Sequence, residues 1–434
     1  MFSSSIRGGV LLVAALASGT VVSAQTTERP PAPSQQASEP SLTLREGLDR
    51  ARAHRPQTRL AGAGTARARG AARLTALIPN PQLNVQGDQR TPTHQLVVAQ
   101  PLQWLPRRAA DRRTGRALID RATADSVQLL ADLGREVRMA FFGSLAARER
   151  LVLSHEQALL ADSLVRLADR RVSAGEISAL ERDQIAQEAL RARLLAARAQ
   201  ETARTADVEL ARAVAWDSSG TPGARGALDE ALDVVTDAAV NIRAEGAASV
   251  STATMPLVQA RVADSVAAAS RLRALQWQQL PLPSLTLGTE WGSSTDTRLG
   301  SAASLPRTGI VGVSVSVPLW NQGREAVAEA RGAATEASAR AAEAHLLADA
   351  QRRAAEIRVA ERAVRARLAR DSMLVDARRV RAGAMRLYEA GRTGLLPVID
   401  ALRIERDVGQ LLVQELLDFQ AARADLAALL GVWP

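Results

Sequence analysis

The sequence predicts a mainly α-helical chain with a small membrane β-barrel: long coiled-coil helical hairpins in two structural repeats, with four transmembrane strands per chain and a twelve-stranded barrel in the trimer. Three observations predict it. The chain is written twice, each copy carries one hairpin of alternating strands, and each copy then runs on with helical periodicity far beyond the length of a globular helix.

The repetition is read from landmarks. Pro79-Asn80-Pro81, followed by Leu83 and Val85, recurs as Pro281-Leu282-Pro283, followed by Leu285 and Leu287, a displacement of 283 − 81 = 202. Pro101-Leu102 and Arg107 recur as Pro318-Leu319 and Arg324, displaced by 318 − 101 = 217, and Ala174-Gly175 recurs as Ala390-Gly391, displaced by 391 − 175 = 216. The step from 202 to 217 places 217 − 202 = 15 extra residues in the Gly- and Ser-rich stretch 292–306 of the second copy, which reads as a loop. The first repeat spans 42–216, with a β-hairpin near 81–103 and a helical hairpin near 106–216; the second spans 252–434, with a β-hairpin near 283–319 and a helical hairpin near 323–432. Residues 217–251 connect them, opening on a segment rich in Gly, Ser and Pro.

The strands are predicted by period-two alternation. Leu83 and Val85 oppose Asn84, Gln86 and Asp88; Leu96 and Val98 share a face; Leu285 and Leu287 oppose Thr286, Gly288 and Glu290. Val311, Val313, Val315 and Val317 point one way, and Gly312, Ser314 and Ser316 the other. A soluble sheet could show the same pattern, yet these strands have the length needed to cross a bilayer at a tilt, and no amphipathic segment is free to cover them. The four valines are therefore expected to face lipid and the opposite face water. Four strands cannot close a barrel and open edges are not tolerated in lipid, so three copies in cyclic symmetry are expected to close twelve. Trp104, Trp277 and Trp320 stand where strands meet helices, the place of an interfacial aromatic belt and equally of ordinary junction packing.

The helical runs extend over about 106–172 and 323–389, each reaching about 100 Å at 1.5 Å per residue. Leu130, Leu133, Val137, Phe141 and Leu145 recur at three and four, a coiled-coil seam; the second copy supplies Ala326, Ala330, Ala333, Ala337 and Ala341 instead, which allow close approach. Each run breaks at the Gly of its Ala-Gly pair, and a shorter helix returns over 178–216 or 395–432.

Composition agrees. Aromatic residues make up 3% and Ala dominates the 47% hydrophobic fraction, which suits closely packed helices better than a bulky core. The charge of +9 does not indicate nucleic acid, because all 55 basic residues are Arg, interleaved with 46 acids along helical stretches. At the N-terminus Arg7 precedes an apolar run at 10–17 and the small residues Val22-Ser23-Ala24. Residues 1–24 thus read as a signal peptide, too short to span a bilayer, and 25–41 as a flexible arm. With no Cys in the chain, neither a lipid anchor, a disulfide nor a Cys-based metal site is expected.

These features, taken in order, resemble the TolC-like outer-membrane efflux proteins. The resemblance runs from Leu42-Thr43-Leu44-Arg45-Glu46-Gly47-Leu48 to Leu429-Leu430-Gly431. It rests most on the duplicated Pro-Leu lead-in to the long helix, with Arg107-Arg108 or Gly323-Arg324, and on the two turns. Those turns are Arg171-Val172-Ser173-Ala174-Gly175-Glu176-Ile177-Ser178 and Tyr388-Glu389-Ala390-Gly391-Arg392-Thr393-Gly394. The first turn, continued by Ile177-Ser178-Ala179-Leu180-Glu181, is most similar to the heavy-metal efflux branch. The resemblance implies a homotrimer in the outer membrane, with outer-membrane lipid around its barrel and a periplasmic helical tunnel below. It further implies two partners, a periplasmic adaptor (membrane fusion) protein and an inner-membrane resistance-nodulation-division pump. It places Arg171, Gly175, Glu176, Ser178, Tyr388, Gly391, Arg392 and Gly394 at adaptor-docking turns. Of the two acids that follow the second turn in the TolC pattern, Asp400 matches the later as a periplasmic gate residue, while Pro397 stands at the earlier.

No catalytic residues, cofactor or metal ligands are expected. His54, His94, His155 and His345 are scattered without ligand spacing, and no nucleophile elbow or phosphate-binding Gly loop occurs. A periplasmic coiled-coil scaffold or adaptor without a pore is the competing expectation, and an exported hydrolase carried on helical repeats is a further one.

Overall fold

A computed structural model describes residues 40–88, 93–217, 220–235, 252–296, 301–315 and 322–433. The proposed signal peptide, most of the N-terminal arm, Ser316, Val317 and Trp320 lie outside the described residues.

A two-residue strand β1 (Ser41–Leu42) leads into α1 (Leu44–His54), whose N-terminus is closed by a capping box between Thr43 and Glu46, and then α2 (Pro56–Thr75). Strands β2 (Gln82–Asp88) and β3 (Thr93–Pro101) follow, then α3 (Trp104–Ser173), a single helix of 70 residues, and the returning helix α4 (Ala179–Ala213). After β4 (Gly223–Ala224) the order repeats. It runs α5 (Pro256–Gln278), β5 (Pro283–Asp296), β6 (Ser301–Val315), α6 (Arg324–Leu368), α7 (Leu374–Glu389) and α8 (Leu396–Leu429). A five-residue π-turn, Ala369–Met373, joins α6 to α7, so the second long helix carries a local defect that α3 lacks.

Packing follows the repeats. α3 is central: α2, α4, α5 and α8 all lie along it, whereas α6 packs on α5 and α8, and α7 on α8. The main core joins the first seam to the returning helices, with Leu133, Val137, Phe141 and Phe142 of α3 against Leu210, Val413, Leu416 and Phe419. The expected connection contributes too. Ala224, Leu228 and Leu232 are buried in that core, and β4 pairs in parallel with β1, so Ser41 at the end of the expected arm belongs to a strand. Ser144 donates to Asp207 at 2.6 Å and Arg148 donates to the same carboxylate at 2.8 Å. Ser144 Oγ also accepts from the Ala224 amide at 3.3 Å, which fixes the strand to the α3–α4 hairpin.

The alanine seam of the second copy is turned from the expected one. Ala326 and Ala333 are exposed, and the buried stripe runs through Val327, Ala330, Ala341, Ala344 and Ala348. Pattern alone could not orient this helix, because alanine occurs on every side of it.

Candidate functional site at the sheet and the helical tips

The four long strands form one antiparallel sheet in the order β2-β3-β5-β6. Its register puts Leu83 opposite Val98, Val98 opposite Leu287, and Leu287 opposite Val311, while Leu285 faces Val313 and Pro283 faces Val315. One face is thus mostly apolar, with His94, Gln100 and Thr289 among its residues. It is uncovered within the chain: Val311 is 76% exposed and Val313 66%. The other face carries Asn84, Gln86, Gln95, Thr286, Gly288, Gly312 and Ser314, with Val97, Ala99 and Ile310 among them. β2 and β6 each have a neighbour on one side, so the sheet ends on two edges. Trp104 begins α3 immediately after β3, with the Arg108 guanidinium 5.3 Å from its ring, and Trp277 lies near the end of α5, half exposed, just before β5. Both therefore sit at strand–helix junctions.

At the far end of the long helices the two turns share one backbone solution. Gly175 has φ +77° and Gly391 φ +68°, the left-handed region that costs an L-residue about 1–2 kcal/mol. The amides of Gly175 and Glu176 donate to Val172 and Arg171, and those of Gly391 and Arg392 to Tyr388 and Leu387. This double bond pattern satisfies carbonyls that a helix end otherwise leaves without partners. The restart differs: Ser178 caps α4 in a reciprocal box with Glu181, whereas α8 begins at Leu396-Pro397 with no side-chain cap.

The structure brings the predicted turn residues together through Arg171. Its Nε donates to Glu176 at 2.9 Å, another guanidinium nitrogen donates to the Tyr388 carbonyl at 3.1 Å, and its plane lies 4.7 Å from the Tyr388 ring. The guanidinium is pushed above its ordinary range, first by the bond to Glu176 and then by that to Tyr388. Tyr388 is buried with Leu164, Ile185, Val398 and Ile399, so the first turn is tied to the second by one charged side chain over a small apolar core. Arg392 and Gly394 are exposed at the apex of the second turn.

Asp400 is exposed in the early turns of α8. It does not stand alone, because its charge helps hold Arg403 cationic, after the larger effect of the Arg403 hydrogen bond to Glu188. That bond, 2.9 Å from α8 to α4, and the Arg406 contact with Glu188 at 3.9 Å were not anticipated from the sequence. The i, i+3 spacing of two arginines opposite an acid on the partner helix was the available signal. Asp407 is held by Arg406 at 2.9 Å.

Among the described residues no helix is long and apolar enough to cross a membrane, and no group of three His, Asp or Glu side chains could hold a metal ion.

No family model and no curated protein matches the chain in sequence. Solved structures do match in shape. The outer-membrane protein VceC of Vibrio cholerae superposes with a TM-score of 0.68 at 16% identity, covering 89% of this chain and 96% of its own. CusC, described for transmembrane channel formation, gives 0.69 at 18%, covering 89% and 91%. The CmeC outer-membrane channel of Campylobacter jejuni gives 0.68 at 14%, covering 89% and 85%. The chain has the fold of these outer-membrane channels. In the channel fold the sheet and the helical tips of this chain are the two ends of one elongated element, joined by α3 and by α6 with α7.

Proposed function

We propose that the chain is the outer-membrane component of a tripartite efflux system, a passive duct formed by three copies. The single observation that carries this reading is the sheet. Its apolar face is uncovered, its opposite face is mostly polar or small, and it ends on two different edges. Different edges complement each other head to tail, so β6 of one copy pairs with β2 of the next; three copies close twelve strands and leave no edge in lipid. The valine face then meets outer-membrane lipid and the polar face lines a water-filled passage. Below it the helical repeats enclose a periplasmic tunnel, and the Arg171–Tyr388 tips with Gly175 and Gly391 dock a periplasmic adaptor that links to an inner-membrane pump. The pump supplies the free energy, and this chain needs no catalytic group. The resemblance of the first turn to the heavy-metal efflux branch makes metal cations the first cargo to examine.

The test is direct. Detergent-purified protein should have the mass of three chains by light scattering and form steady conducting pores in planar bilayers. A detergent-free soluble monomer without conductance would replace the duct with a pore-less scaffold. Deletion strains challenged with metal salts and with drugs would then assign the cargo.

A further inference from the structure

The returning helices α4 and α8 are equivalent in sequence but not in surroundings. Ala215 has φ +52° and Gly431 φ +69° at the ends of these helices, displaced by 431 − 215 = 216, the same as Gly175 and Gly391. The two helices therefore align residue for residue with no insertion. On α8, Val413, Leu416, Gln420 and Ala424 are buried; Gln420 donates to the Leu228 and Glu230 carbonyls, and Val413 and Leu416 share a core with Leu228. Their counterparts on α4 are Ala197, Gln200, Arg204 and Val208, and all are exposed. α4 thus lacks the neighbour that its sequence twin has.

A ring in which the second repeat of one copy meets the first repeat of the next reuses the interface already present inside the chain. Each cross-repeat contact then projects a second one: 216 is added to its first-repeat residue and subtracted from its second-repeat residue. The bridge from Glu188 to Arg403 and Arg406 becomes Ile404 against Gln187 and Leu190 of the next copy. The Arg171–Tyr388 clamp becomes Leu387 against Val172 of the next copy. Ile404 is 50% exposed in the chain, Leu190 55% and Leu387 48%, so these aliphatic side chains stand ready without a partner. Charge is exchanged for apolar contact at the tip.

We propose that the six seams around the tip alternate in chemistry: within each chain, ion pairs and the Arg171 clamp beside a buried apolar core, and between chains, aliphatic contacts in place of those charged ties, with Ile404 packed on Leu190 and Leu387 on Val172 of the next copy. This rests on the trimeric duct proposed above. It assigns the partner surface of α4 and makes the seam between chains less sensitive to salt than the seam within each chain, where the pairs of Glu188 with Arg403 and Arg406 are subject to screening.

Because the chain has no Cys, Leu190→Cys with Ile404→Cys, and separately Val172→Cys with Leu387→Cys, can be cross-linked without background by an oxidant or a short bismaleimide. Covalent dimers and trimers on denaturing gels from both double variants, and none from any single variant, are expected. Native-mass trimers that give no covalent species with either pair would overturn the pairing; a native monomer would instead overturn the trimer itself. Should a cysteine pair prevent assembly, Ile404→Ser and Ile404→Val probe the same contact. The serine variant should dissociate at lower urea than the valine variant at every salt concentration, and equal midpoints would overturn the proposal.

Discussion

The first helical hairpin, α3 with α4, and the second, α6 and α7 with α8, end in the same way and differ in almost everything between. Both turn on a left-handed glycine with the same pair of amide bonds. Yet α3 is unbroken, whereas its counterpart is interrupted at Ala369–Met373 and leaves Leu346, Ile357, Val364, Leu368 and Val375 exposed. Spacings of 11, 7 and 4 residues keep Leu346, Ile357, Val364 and Leu368 within a narrow stripe of α6. The difference teaches that duplication preserved what is local, the turn, and that the neighbours each hairpin meets within the chain set what is buried.

The largest effect that would break this comparison concerns the sheet, where both repeats share one apolar face. Val98→Arg and Val313→Arg should each cost about 2–4 kcal/mol near the bilayer midplane and abolish membrane assembly. Ser314→Arg, on the opposite face, should assemble and change conductance. Equal yields of folded trimer from Val313→Arg and Ser314→Arg would show that the two faces do not divide lipid from water.

Next come the turns. A valine at Gly175 or Gly391 should destabilise its turn by about 1–2 kcal/mol, since a β-branched residue is strained at positive φ. The effect should be greater at Gly391, where a Cβ would also stand 3.4 Å from the Arg171 guanidinium, than at Gly175, which has nothing within 4 Å. Adaptor cross-linking and efflux should fall while the trimer survives; undiminished efflux in both variants would remove the turns from docking.

A smaller effect distinguishes the opposite ends of the returning helices. Ala215 occupies the left-handed position that Gly431 fills in the second repeat. Ala215→Gly should therefore stabilise the chain by up to about 1 kcal/mol, read as a higher urea midpoint. Gly431→Ala should do the reverse and by more, because its Cβ would come within 2.6 Å of Pro256.

Asp400 gives a subtler contrast, because its counterpart 216 residues earlier is Gln184. Three Asp400 carboxylates around the axis would favour cations. Asp400→Asn should lower cation preference in planar bilayers at low salt, where screening is weakest. Gln184→Asp should raise it, and Asp407→Asn, already neutralised by Arg406, should change it less. Unchanged selectivity in Asp400→Asn would leave that residue as an acid favoured at a helix start.

The smallest effect belongs to the segment with no counterpart. Asp233 and Asp371 are both held below the usual carboxylate range, chiefly by hydrogen bonds from Arg370 of the π-turn. A depressed folded value means the tie is present above the unfolded pKa, about 4, and is lost as pH falls through the lower folded value. Amide exchange at Leu232 and Val235 should accordingly lose protection below about pH 4 and be steady above it. Loss on the alkaline side would contradict the sign.

Much of the molecule was legible in its residues. The long helix expected at 106–172 is observed as Trp104–Ser173, and the returning helix expected at 178–216 as Ala179–Ala213. The alternation of Val311, Val313 and Val315 against Ser314 reproduces the register of the sheet. These are local properties: a glycine at positive φ, a proline without an amide and a period of two or 3.6 act on their own stretch of chain whatever lies beyond. Only the tertiary structure decided that α3 takes four neighbours, that residues 223–235 pack into the core, that Glu188 meets Arg403, and that the alanine helix buries Ala341 and exposes Ala333. The physical reason is that hydrophobic attraction has no direction along the chain and alanine offers every face alike. The partner of a face is chosen by what else competes to cover it, and that competition exists only once the chain is folded.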